Sequence, residues 1–148
     1  MKLEVKGGRW GEQPGPARAR PEAPLGDDRW QVGQVGEALA AAHLESCGFR
    51  VLARNWRRRE GELDIVAVDG ERLVFVEVRA LRGGRWGRPE ETVGAAKRRQ
   101  VEGMARAWVQ ANEGEARGRA ICFDVVGVDL PRGEVRHHRG AFEAQGWW

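Results

Sequence analysis

Gly61-Glu62-Leu63-Asp64-Ile65-Val66-Ala67-Val68-Asp69-Gly70 runs into Arg72-Leu73-Val74-Phe75-Val76-Glu77-Val78-Arg79. Strict alternation over six to eight residues is the mark of a strand, because successive side chains point to opposite faces. Residues 62 to 68 read as one strand, with Leu63, Ile65 and Ala67 on one face and Glu62, Asp64, Val66 and Val68 on the other. Asp69-Gly70 is a two-residue hairpin signal, so the second run, 72 to 79, pairs antiparallel with the first. On that run Glu77 and Arg79 share a side, and Val74, Val76 and Val78 share the other. Val74-Phe75-Val76 in sequence points to burial on both faces. A carboxylate inside such a strand is costly unless it is paired or bound to a cation.

Outward from this hairpin the elements follow in order. A helix is expected over about 30–47, with Val32, Val35, Leu39 and Ala42 as its apolar face and Gly48 as its C-terminal cap. Phe49 to Trp56 reads as a strand ahead of the hairpin. After the hairpin comes a Gly- and Arg-rich loop from Ala80 to about Pro89. A helix is expected over about 90–112, with Val101, Met104, Ala105 and Trp108 as its stripe. Strands over 120–129 and 134–138 close the chain. The order α-β-β-β-α-β-β predicts an α/β sandwich with a central mixed sheet, the fourth strand entering by a crossover through the second helix.

The chain of 148 residues suits one domain. Residues 1–28 hold four of the six prolines and five glycines with little apolar periodicity. They are read as a disordered leader, since such a segment cannot offset its ordering entropy by burial. The folded domain is then 29–142, with 143–148 a short tail. Leu73-Val74-Phe75-Val76 are four apolar residues in a row, whereas a membrane helix needs about twenty. Two cysteines, Cys47 and Cys122, are too few for a disulfide framework and read as reduced thiols of a cytoplasmic protein. The net charge of +3 permits an anionic partner without requiring one.

Glu62 and Asp64 on one strand, with Glu77 and Arg79 on the next, have the composition of a Mg²⁺ site. Mg²⁺ takes oxygen ligands, keeps several waters and is completed by one or two carboxylates plus a substrate phosphate. The neighbouring cation suits a charged transition state. The same alternation also describes a half-exposed strand with its polar face in water. Lys97-Arg98-Arg99 fall early in the second helix, where cations oppose the macrodipole and need another reason to be present. Phosphate contact is one reason, and a solvated face is the other. Arg82, Arg85 and Arg88 surround Trp86 in the preceding loop, a combination suited to nucleic acid. His43 and Cys47 are one helical turn apart, but too few further His and Cys exist to complete a zinc site. Asp124, within an apolar strand, reads as a hydrogen-bonding structural carboxylate. Glu37 shares its helical angle with Ala41 and Leu44 rather than with Val35 and Leu39, which by itself makes it a solvated helix glutamate.

Gly36-Glu37-xx-Ala40, Arg54-Asn55-Trp56-Arg57, Gly61 to Ala67, Phe75-Val76-Glu77-Val78-Arg79, Lys97-Arg98-Arg99 and Phe123-Asp124-Val125-Val126 together resemble the YraN-like family of bacterial proteins, over about 29–142. That family in turn resembles the restriction-endonuclease-like superfamily, among whose look-alikes are archaeal Holliday-junction resolvases. The resemblance implies Asp64 and Glu77 at metal-ligand positions, Glu37 at an additional acidic position near the metal, and Arg79 at the position of a lysine. Glu62 would assist as a further metal-side carboxylate. It implies Mg²⁺ or Mn²⁺ as cofactor and DNA, branched DNA included, as partner, with a homodimer left open. Lys97, Arg98, Arg99, Arg82 and Arg85 would contact the nucleic acid. Leu63 stands where a proline often precedes the aspartate. Arg79 is the weightier departure, because an arginine is always protonated and cannot act as a base toward water. The expected activity is a metal-dependent DNA endonuclease, and the alternative is a non-catalytic nucleic-acid-binding protein that keeps the fold.

Overall fold

The computed structural model describes residues 28–81 and 93–143. Its elements are α1 (Asp28–Ser46), β1 (Arg50–Arg58), β2 (Gly61–Asp69), β3 (Arg72–Leu81), α2 (Ala95–Ala111), a one-turn α3 (Glu113–Ala116), β4 (Ala120–Asp129) and β5 (Glu134–Phe142). Apart from α3, this is the expected α-β-β-β-α-β-β order. Residues 1–27 of the expected leader, Arg82, Arg85, Trp86 and Arg88 of the loop, and residues 144–148 of the tail lie outside the described residues. Among those described, no helix is long and apolar enough to cross a membrane.

The five strands form one sheet in the order β1-β2-β3-β4-β5. β1, β2 and β3 make the antiparallel meander, with Asp69 opposite Arg72 across the turn and Gly70 at φ 63° supplying the left-handed residue that turn needs. β4 lies parallel to β3, with Phe75 opposite Phe123, and β5 returns antiparallel. A parallel neighbour cannot be reached by a hairpin, and α2 supplies the crossover.

Each face of the sheet carries a helix. Phe75, Phe123, Val125 and Val66 pack with Val101, Met104, Ala105 and Trp108, so the stripe expected on α2 is its buried face. The helix starts at Ala95 rather than near residue 90, with Gly94 as an extended N-cap. Ile65, Ala67, Val74, Val76, Val126 and Val128 pack on the other side against Ala40, Ala41 and Leu44 of α1. Leu63 belongs to the α2 side, not to the side of Ile65 and Ala67 as strict alternation predicts.

The face of α1 also differs from the expected one. Val35 is 41% exposed and Ala42 is exposed, whereas Gly36, Ala40, Ala41 and Leu44 are buried. The reason is distance. A Cβ added at Gly36 would lie 2.8 Å from the Cβ of Ala80 on β3, so the helix settles on its smallest side chains. Glu37, sharing that side with Ala41 and Leu44, is carried inward.

Asp124 on β4 is fully buried. It accepts hydrogen bonds from His137 Nε2 at 2.7 Å, Gly140 N at 2.9 Å and Arg72 Nη2 at 3.4 Å, and so ties β3, β4 and β5 together. This is the structural carboxylate read from the sequence. His43 lies edge-on to His137, with ring centroids 6.5 Å apart, and its Nε2 is 3.7 Å from Cys47 Sγ.

The close approach of α1 has a measurable consequence. Gly36→Val should cost about 1–3 kcal/mol in urea unfolding, the usual penalty of overpacking. Gly33→Ala, on the same helix with nothing within 4 Å of the added carbon, should instead stabilise by about 0.5–1 kcal/mol through helix propensity. Equal effects of the two substitutions would show that contact with Ala80 does not limit the helix.

Candidate metal centre

The ladder between β2 and β3 ends at the pair Ile65 and Val76. One residue further, Asp64 turns its carboxylate into the gap, and Oδ2 accepts the backbone N–H of Val78 at 2.9 Å. A strand that leaves its neighbour must satisfy the released amide, and here a side chain does so. The bond takes up one oxygen of Asp64 and leaves the other available.

Three elements bring carboxylates to this gap. Glu62 and Asp64 come from β2, and Glu37 descends from α1 one residue beyond the contact between Gly36 and Ala80. One oxygen of each lies within 4.8 Å of the others. Asn55 of β1 hydrogen-bonds Glu37. Asn55 sits at φ 52°, a left-handed conformation that asparagine tolerates better than most residues. Even so, Glu37 Oε1 is buried with no hydrogen-bond partner.

Glu77 on β3 is 5% exposed. It lies outside the three-oxygen group and faces α2, where Lys97 Nζ stands 3.6 Å from its Oε2. The Lys97 amine also donates to Gln100 Oε1 at 3.4 Å. Arg79 lies close enough that its charge acts on both Asp64 and Glu77.

The electrostatics follow from burial and crowding. Burial, then the charges of Asp64 and Glu62, push Glu37 up to about 7, against the Asn55 hydrogen bond and Arg54. Burial and Asp64 push Glu77 up to about 7 as well, against Lys97 and Arg79. Asp64 is raised too, mainly by burial, with the Val78 hydrogen bond and Lys97 opposing. Carboxylates raised by desolvation and by one another gain from any added cation, and this group could hold one. The donor set suits the implied ion: hard carboxylate oxygens, one of them orphaned, with no sulfur or imidazole in the group.

The basic run Lys97-Arg98-Arg99 is divided by its helix. Lys97 points into the centre. Arg98 donates from Nε to the carbonyl of Val93 at 2.9 Å and lies over the ring of Phe142 at 5.2 Å. Arg99 is exposed. Asn55 and Gln100 were given no role from the sequence. For Asn55 a signal existed, since asparagine is depleted inside strands and its presence there asks for a reason. Gln100 carried none.

Among solved structures the chain is similar to Pyrococcus furiosus SfsA in complex with Ca²⁺, at 15% identity and a TM-score of 0.31, covering 78% of this chain and 65% of that one. Among curated sequences it is 50% identical over 123 residues to a UPF0102 protein of Anaeromyxobacter dehalogenans, covering 82% of this chain and 90% of the relative. A UPF0102 protein of Acidothermus cellulolyticus is 44% identical, covering 77% of this chain and 95% of the relative. The matching family model spans residues 36–128. It begins at the glycine that seats α1 and takes in Glu37, Glu62, Asp64, Glu77, Arg79 and Lys97, which bears out the YraN-like resemblance of the motifs. The chain belongs to the uncharacterised protein family UPF0102.

Proposed function

We propose that this protein is a divalent-metal-dependent DNA endonuclease, with branched DNA among its substrates. The observation that carries the proposal is the buried, unpartnered Oε1 of Glu37 within a three-carboxylate group. A polar atom left that way costs about 1–3 kcal/mol, and a bound cation removes the cost. Glu37, Glu62 and Asp64 would hold the ion, with Glu77 beside them. Mg²⁺ or Mn²⁺ bound there supplies charge against a phosphodiester and a lowered pKa for water.

The remaining parts belong to the chain. Asp64 is oriented by Val78 N–H, so its free oxygen has little freedom to turn away. Lys97 holds Glu77 and adds a positive charge to the rim where a phosphate would enter. Arg79 offers a planar fork that can take two phosphate oxygens. Being always protonated, it contributes charge and orientation, not proton abstraction. That property also favours the second reading, a nucleic-acid-binding protein that keeps this fold without turnover.

Metal binding is testable without any substrate. Calorimetry at pH 7.5 should show Mn²⁺ binding that Asp64→Asn and Glu37→Gln weaken by at least about 10–100-fold, a loss seen even for outer-shell partners. Equal binding by all three proteins would remove the metal centre. The pH dependence has a definite sign. Glu37 and Glu77 are raised from 4.5 to about 7, so between those values the folded state holds protons that the unfolded state has lost. Stability in EDTA should therefore fall as pH rises from about 4.5 through 7. Mn²⁺ should restore more stability at pH 8 than at pH 5, since it competes with those protons. A urea midpoint in EDTA that rises over this window would contradict the assignment.

Arg79→Lys separates the two readings of that position. In single-turnover cleavage of a four-way junction with saturating Mn²⁺, lysine should raise the rate by about 10²–10⁴-fold if a neutral amine is required there, the usual worth of general-base help. An unchanged or lower rate in a normally folded variant would leave Arg79 as an electrostatic clamp. No cleavage of junction, duplex or single strand by either protein would leave the binding reading.

A further inference from the structure

A second run of cations, Arg57-Arg58-Arg59, closes β1 and enters its turn, with Arg57 paired to Glu62 of the carboxylate group. The ladder between β1 and β2 continues through Trp56 opposite Leu63, Arg57 opposite Glu62 and Arg58 opposite Gly61. The ladder between β2 and β3 has already ended at Ile65 and Val76. The first four residues of β2, 61 to 64, therefore pair with β1 and no longer with β3, a two-stranded ribbon of about 13 Å at roughly 3.3 Å per residue. All three arginines on it are exposed.

The ribbon is held in place. The Arg58 guanidinium lies 4.4 Å over the ring of Trp56, which itself packs on the core beneath α2. Gln100 of α2 donates from Nε2 to the carbonyl of Glu60 at 3.2 Å, tying the tip to the helix. Gln100 also receives the Lys97 amine, and Lys97 meets Glu77. At the root, Arg57 Nε is 3.4 Å from Glu62 Oε2. The ribbon is thus held relative to the carboxylates, through Arg57 and Arg58 on β1 and through Gln100 at the turn.

Charged side chains also protect an edge strand from unwanted pairing. Three consecutive guanidiniums at a tip that is already tethered repel one another, and the arrangement calls for an anionic ligand. Guanidinium forks match phosphate oxygens, and a two-stranded β-ribbon has the width to sit at a major groove about 12 Å across. We infer that the tip of the β1–β2 ribbon is a phosphate-binding arm that grips the backbone of a DNA duplex beside the carboxylate centre. The inference rests on the nucleic-acid reading proposed above and adds the contact surface and the form of the ligand.

The test is fluorescence anisotropy of a short labelled DNA duplex with the full chain, over a series of salt concentrations in EDTA so that no cleavage intervenes. The double variant Arg58→Gln/Arg59→Gln leaves the pairing of Arg57 with Glu62 intact. It should make the dependence of log affinity on log salt shallower by about 0.9 for each phosphate contact removed. Arg50→Gln, at the far end of the same strand where Arg50 pairs with Glu115, serves as a charge control and should leave the slope unchanged. Thermal melting of each variant checks folding, and Arg58→Gln and Arg59→Gln singly replace the double variant should it melt early. A parent that binds duplex while the ribbon variants keep its slope overturns the arm and leaves the nucleic-acid reading standing. A slope change just as large in Arg50→Gln overturns the arm too, because net charge then explains it. Loss confined to a single-stranded probe overturns the duplex assignment. A parent that binds no DNA removes both readings.

Discussion

The bond from Val78 N–H to Asp64 Oδ2 is the contact on which the carboxylate-bearing end of this molecule depends. β2 and β3 are paired from their hairpin to Ile65 and Val76 and then part. Strands that part inside a protein expose amides that water cannot reach, and each such amide needs a partner. By accepting that amide, the Asp64 side chain lets β3 go on alongside β4 as far as Leu81 and Asp129, while β2 goes on alongside β1. The sheet forks, and the carboxylates Glu37, Glu62 and Asp64 meet at the fork. Were the ladder to continue, Asp64 would stand opposite Glu77 and the backbone of β2, not the Asp64 side chain, would meet the Val78 amide.

The second requirement is that α1 come close enough to use that gap. Gly36 against Ala80 sets the distance, and Ala40 and Ala41 keep it along the helix. A helix resting on small side chains buries less apolar area per residue than one resting on leucines, so α1 gains less from the hydrophobic effect than its length suggests. What the approach provides is position: Glu37 is brought within reach of Asp64 and Glu62. Stability on this face comes instead from the sheet residues Ile65, Val74, Val76 and Val126, all nearly fully buried. Asp124 further stiffens it by joining three strands.

These two features explain what could be read in the residues and what could not. The alternation from Glu62 to Arg79 and the turn at Asp69-Gly70 reveal β2 and β3, because a period of two is visible in one dimension. The stripe on α2 is visible for the same reason, its members being large and apolar. The buried face of α1 is not visible, since glycine and alanine carry almost no hydrophobic signal and Val32, Val35, Leu39 and Ala42 make a better-looking stripe. Glu37 is placed at the site by family resemblance alone, since its angle shared with Ala41 and Leu44 reads as solvated until those small residues prove to be the buried face. The fork is invisible as well. Where a ladder stops depends on two strands at once, and so do the side of Leu63 and the length of the ribbon. Lys97-Arg98-Arg99 shows the limit of reading charge runs. A helix spreads consecutive residues by about 100° each, so one turned to Glu77, one to Phe142 and one to solvent.

The charge arrangement at the fork is unfavourable for folding, and this is informative in itself. Burial and the charge of Asp64, joined at Glu37 by that of Glu62, raise Glu37 and Glu77 to about 7, which means that holding these groups ionised costs the folded state free energy at neutral pH. Lys97 and Arg79 reduce that cost from the α2 side and from β3. On the α1 side Asn55 hydrogen-bonds Glu37, yet Oε1 of the same carboxylate stays without a partner. A fold selected for stability alone would accommodate an apolar residue at Glu37, because the neighbouring Ala41 and Leu44 are already buried. Local cost that the rest of the structure carries is expected at functional sites rather than in the core. Cations stand on both sides of the fork, Arg57 3.4 Å from Glu62 and Lys97 3.6 Å from Glu77, so what is left unmet is the Oε1 of Glu37.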